Sequence, residues 1–144
     1  MSPSACPSVP VSWGELLDKL TILEIKRERI ARADARTHID LEYRALGAAA
    51  ASVLDVDGIT PLVRQLKRVN ALLWDIEDAI REQEAQAAFG TVFVCLARCV
   101  YKTNDERAAL KRRINALLRS ELVEEKSYAD GSGTAALLNP QPAH

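Results

Sequence analysis

Apolar residues recur every three or four positions along most of this chain, the spacing that lines one face of an α-helix. Leu16, Leu20, Leu23 and Ile30 mark a first stripe. It opens at Ser12-Trp13-Gly14-Glu15, where a serine oxygen can accept from the third helical N–H and a glutamate can reach back. The spacing predicts a helix over about 13–33. Ile39, Tyr43, Leu46, Ala50 and Val53 form a second stripe, weakened at Gly47 by about 1 kcal/mol relative to alanine. Asp57-Gly58 then reads as a turn, with Thr60 as the cap of a third helix and Pro61 at its first position.

The third and fourth stripes are the longest. Leu62, Leu66, Val69, Leu73, Ile76, Ile80 and Gln83 step alternately by four and three, so the helix should run to about 86 and end where Gly90 supplies a turn. Val92, Leu96, Cys99, Thr103, Arg107, Leu110, Ile114 and Leu117 hold a single phase. Within them Thr103-Asn104-Asp105-Glu106 matches the signature of a helix start. A true break would reset the register, and no Gly or Pro lies in 100–106, so one helix over about 91–119 is expected. The fold class is therefore all-α: an antiparallel bundle of three to four long helices with a long C-terminal helical hairpin. One domain over 12–128 is expected between an unordered Pro/Ser-rich arm (1–11) and an unordered tail (129–144).

Composition agrees with that reading and narrows the partners. Aromatics make up 5% of the 144 residues, while Ala, Leu, Glu and Arg abound, favouring helix over sheet. A formal net charge of −1 supplies no bulk field for nucleic acid or membrane. No apolar run approaches the roughly 20 residues of a membrane helix, and residues 1–10 lack the pattern of a secretory signal. Three cysteines form no disulfide framework, so a cytoplasmic location is expected. Cys95 and Cys99 lie one turn apart without a further Cys or His nearby, and read as small buried hydrophobes rather than metal ligands. Gly-rich phosphate loops, nucleophile–histidine sets and HExxH helices are absent from the sequence, so no catalytic residue, cofactor or metal is expected.

Charge along the hairpin is uneven. Asp75, Glu77, Asp78, Glu82 and Glu84 face only Arg81 near the turn, and the end of the first helix (Lys26, Arg27, Arg29, Arg32) should neutralise them. The far end gathers Arg64, Lys67, Arg68, Arg107, Lys111, Arg112, Arg113 and Arg119, with Glu15, Asp18 and the acids of 121–125 as the visible partners. Arg64, Arg68, Lys111 and Arg112 are thus candidates for an anion site. Folding the hairpin at its turn brings Asn70 near Thr103 and Arg107. That defines a polar layer of Glu24, Asn70, Lys102, Thr103, Asn104, Asp105 and Arg107, either a ligand pocket or a hydrogen-bonded layer that fixes helix register.

The blocks GELLDKLTILEIKRERI (14–30), LKRVNALLWDIEDAIRE (66–82), YKTNDERAALKRRIN (101–115) and SELVEEKSY (120–128) stand in an order that resembles an uncharacterised bacterial family of short helical proteins. The resemblance carries no activity. It implies only a link to glycosyltransferase or surface-polysaccharide systems. The function expected from sequence is a non-enzymatic binding or accessory module, meeting another protein or a second copy of itself. The alternative is a small helical enzyme or sensor holding an anionic metabolite in the bundle.

Overall fold

The computed structural model describes residues 5–127, which form four helices: α1 (Trp13–Arg29), α2 (Ala33–Ala50), α3 (Ile59–Ala85) and α4 (Thr91–Leu117). Residues 1–4 and 128–144, with the first four residues of the expected arm and all of the expected tail, lie outside the described residues. The helices run up, down, up and down, as an antiparallel bundle requires. α1 is the central element and packs on the other three, whereas α2 packs on α1 alone. The core gathers Leu16, Leu17 and Leu20 of α1, Ala50 of α2, Ile59, Leu62 and Leu66 of α3, and Leu110 and Ile114 of α4. Each such fully buried Leu or Ile contributes roughly 1.5–3 kcal/mol.

α4 is unbroken. Thr103 is buried in mid-helix, so unbroken apolar phase outweighs the local preference of Thr-Asn-Asp for a helix start. Elsewhere the helix ends differ from the sequence expectation. α1 stops at Arg29, where Ile30 turns extended (φ −94°, ψ 119°) and its N–H bonds back to Lys26. Thr60 does not cap α3. Gly58 occupies the cap in the left-handed region (φ 89°), which only glycine enters at little cost, and Thr60 and Pro61 lie inside the first turn. Pro61 is tolerated there because its missing N–H would have had no partner.

Gly90 likewise does not make the turn between α3 and α4. The left-handed residue is Ala87 (φ 50°), and Ala87 N–H to Glu84 (3.0 Å) and Ala88 N–H to Gln83 (2.9 Å) close a Schellman motif. Arg119 (φ 51°) does the same after α4, with Ser120 N–H donating to Asn115 at 2.9 Å. An L-residue in that conformation costs roughly 1–2 kcal/mol. Against this stands the larger unfolded-state entropy of glycine, about 0.4–1 kcal/mol. Ala87→Gly is therefore expected to stabilise the protein by up to about 1 kcal/mol, read as a higher urea midpoint at unchanged m.

Two consequences of helix length position everything that follows. α3 and α4 are 27 residues each and α1 only 17, so α1 covers little more than half of the hairpin. Beyond Ile76 and Thr103 no residue from Glu77 to Lys102 is buried. Ile80, Phe93, Leu96 and Val100 are only half-buried there. Cys95 and Cys99, expected in the core, are exposed for this reason. The acidic end of the hairpin also stays largely unneutralised: Arg29 pairs with Asp75, but Arg27 turns to Asp40 and Arg32 to Asp34.

Candidate functional site

α1 contributes the centre of the polar cluster. Asp18 lies between Leu17 and the Leu20–Thr21 pair on the buried side of that helix, and its residue surface is 0% exposed. Burial of a carboxylate demands partners, and the hairpin supplies them. Arg107 of α4 donates Nε to Asp18 Oδ1 at 2.9 Å and a terminal guanidinium nitrogen to Oδ2, a two-point grip. Asn70 of α3 donates its amide to Asp18 Oδ1 at 2.8 Å and to Thr21 Oγ1 at 2.8 Å. Thr21 donates in turn to the Asp18 carbonyl at 2.7 Å. Three helices are thereby fixed in register by one carboxylate. The bond to Asp18 is the main cause that holds the Arg107 pKa above its ordinary value, against the opposing effect of burial.

One turn towards the C-terminal end of α4, Lys111 donates to Glu15 of α1 (2.7 Å) and to Glu124 (2.8 Å) in the segment after α4. Burial, the largest single influence on Lys111, works to lower its pKa. The bonds to Glu124 and Glu15 outweigh it, and the net direction is upward. The same Lys111 bond holds the Glu124 carboxyl below the usual carboxylate range. Another turn on, Asn115 Oδ1 accepts from Gly14 N–H at 2.7 Å, and Ser120 Oγ, just after α4, from Trp13 N–H at 3.2 Å, so the end of α4 and the residues that follow it cap the start of α1 from across the bundle. Ser12 completes that cap by accepting from Glu15 N–H at 3.1 Å.

These placements sort the sequence candidates. Asn70 and Arg107 meet at Asp18, with Thr103 buried in α4 one turn from Arg107 and Asn104 half-buried beside it. Glu24 stands apart: it accepts from Tyr43 of α2 (3.4 Å) and pairs with Lys67 (3.2 Å). Lys102 and Asp105 are exposed and outside the cluster. Of the anion-site candidates, Lys111 is held by two carboxylates, while Arg64, Arg68 and Arg112 are exposed and do not converge on it. Arg107 keeps a wet edge, its side chain 29% exposed. It borders three shallow grooves of about 220, 270 and 250 Å³, the first shared with Asn104, Lys111, Glu124 and Lys126.

Chemically the cluster is closed upon itself. No buried side-chain nitrogen or oxygen among the described residues lacks a hydrogen-bond partner. Nor do three or more His, Cys, Asp or Glu side chains gather there as a metal site would require. Among the described residues no helix is long and apolar enough to cross a membrane. Searches of curated proteins and of solved structures return no match. Residues 8–140, nearly the whole chain and all four sequence blocks, match the model of the family of unknown function DUF6165, and the chain belongs to that family.

Proposed function

We propose that the chain is a non-enzymatic binding module that acts through protein–protein contact on its α3–α4 hairpin. One observation carries this reading. Residues 91–100 of α4 hold a single charged side chain, Arg98, yet none of the ten is buried. A helix that is apolar on most sides is normally covered. Val92 is 59% exposed here, and Cys95 and Cys99 are exposed alongside it. The self-satisfied Asp18 cluster supports the same conclusion, because its hydrogen-bonding groups are already spent on fixing register. Components of glycosyltransferase or surface-polysaccharide systems are the first partners to test.

The test is capture by the immobilised protein, compared with the exposed-surface double variant Val92→Glu/Cys99→Glu. Specific capture that disappears in the variant, with an unchanged melting curve, is the expected result. Equal capture by both proteins, or capture of neither another protein nor a second copy of the chain by either, refutes the reading.

The position of Arg107 favours a second reading, a sensor or small enzyme for an anionic metabolite in the groove that it shares with Asn104 and Lys126. Under it, an anionic metabolite or nucleotide sugar raises Tm with concentration, and Asn104→Ala and Lys126→Ala remove the shift without unfolding the protein. A screen without any shift leaves the binding module as the function.

A further inference from the structure

The uncovered surface is wider than the tip of the hairpin. α1 lies along one flank of the α3–α4 pair, and no helix among the described residues lies along the other. Helical register places Val69, Leu72 and Ala79 of α3 on that open flank, beside Val92, Cys95 and Cys99 of α4. None of the six is buried, and Leu72 is 48% exposed. Between the two helices the flank is grooved, with an open volume of about 410 Å³ where Val69, Ala109 and Leu110 meet.

Charge along the outer side of α3, next to this flank, has a definite arrangement. Arg64 and Arg68 lie one turn apart towards the start of α3, and Asp78 and Glu82 lie one turn apart towards its end. The two sets stand at equal distances on either side of residue 73, at the level of the exposed Leu72. All four side chains are exposed, and none has an ion pair among the described residues. An arrangement of this kind is complementary to itself turned end for end.

We propose that the open flank is covered by a second copy of this chain, packed face to face about a two-fold axis at the level of Leu72. α3 then runs antiparallel to its counterpart, and the two hairpins form a four-helix layer. Arg64 and Arg68 of each chain face Asp78 and Glu82 of the other, twice over. The parallel alternative would set like charges against each other. The area also fits: a flank about 40 Å long and roughly 20 Å wide offers about 800 Å² per partner, the size of a standard stable interface. This inference rests on the reading of the hairpin as a protein-binding surface and names its partner.

Sedimentation equilibrium on the full chain tests it. A dimer is expected over roughly 1–100 μM, the range that reveals micromolar association. Arg64→Glu/Arg68→Glu and Asp78→Arg/Glu82→Arg should each weaken it at least about tenfold, since like charges then oppose across the axis. An equimolar mixture of the two variants should restore the dimer, because both sets of opposite charges re-form in the mixed pair. A variant weakened only by misfolding would not be rescued by mixing. A monomer throughout this range, variants that associate like the original, or a mixture that stays monomeric each overturn the pairing. Failure of the binding reading is separable. A monomer that still captures other proteins in a Val92/Cys99-dependent manner loses only the second copy as partner, whereas a monomer that captures nothing loses both.

Discussion

Asp18→Ala is expected to lower the free energy of unfolding by roughly 3 kcal/mol, a fall of about 10 °C in Tm for a chain of this size. The carboxylate is wholly buried and receives three side-chain hydrogen bonds from two other helices. Alanine leaves a half-buried guanidinium without its anion, and the Asn70 amide with Thr21 alone. Breaking one side of a buried pair costs about 3–5 kcal/mol. The lower end applies because the Arg107 side chain is 29% exposed and can recover water at its outer edge. Arg107→Ala should cost at least as much, since it strands the buried partner rather than the wet one.

The pair of variants also separates the two meanings of the cluster. Replacing both members with apolar side chains, Asp18→Leu with Arg107→Met, removes the desolvation penalty together with the attraction, and most of the lost stability should return. Where the cluster serves only to fix register, that double variant keeps partner capture at the hairpin. Urea denaturation of the singles and the double gives the coupling directly. A loss below about 1 kcal/mol in Asp18→Ala would show that the pair merely breaks even with water, as exposed pairs do.

Legibility in the sequence followed locality. All four helices could be read from the spacing of Leu, Ile and Val, because a helix face is a property of neighbouring positions. Meeting of Asn70 with Arg107 followed from folding a hairpin at its turn, which requires only counting. Asp18 could not be placed that way. It meets residues 52 and 89 positions away, across a packing of α1 that no turn length dictates. Two signals were present: Asp18 is among the few acids available to the basic end that holds Arg107, and with Thr21 it interrupts a run of leucines on the face that α1 buries. Charge alone groups Lys111 with exposed arginines, although Glu15 and the acids after 120 stand in the sequence as its partners. Exposure of Cys95 and Cys99 turns on a comparison of helix lengths, and the apolar spacing extends α1 four residues beyond its end at Arg29. The left-handed Ala87 and Arg119 carried no sequence signal, since hydrogen-bond closure of a helix end can hold residues there against their own preference.

Gly14→Ala should be as damaging as the loss of Asp18, by a different route. A Cβ built on Gly14 would lie 2.6 Å from the carbonyl oxygen of Lys111 and 2.9 Å from Asn115 Oδ1. The first of these is helix backbone and cannot rotate away. The second already accepts the Gly14 N–H at 2.7 Å, so moving it breaks the cap that α4 provides for α1. Helix propensity opposes this, favouring alanine by about 1 kcal/mol in a helix interior and by less in a first turn. Overpacking of a fitted contact costs about 1–3 kcal/mol, and an unsatisfied buried N–H another 1–3. Sterics therefore outweigh propensity, and a net loss of roughly 3 kcal/mol is expected, seen as a lower urea midpoint. Asn115→Ala adds a separate check. It removes the acceptor but leaves the Lys111 carbonyl in place, so Gly14→Ala in that background should remain destabilising, by less than in the original chain. A midpoint that rises with Gly14→Ala would mean that α1 and α4 can separate freely at this level. The Glu15–Lys111 and Asp18–Arg107 bonds would then have to give way with it.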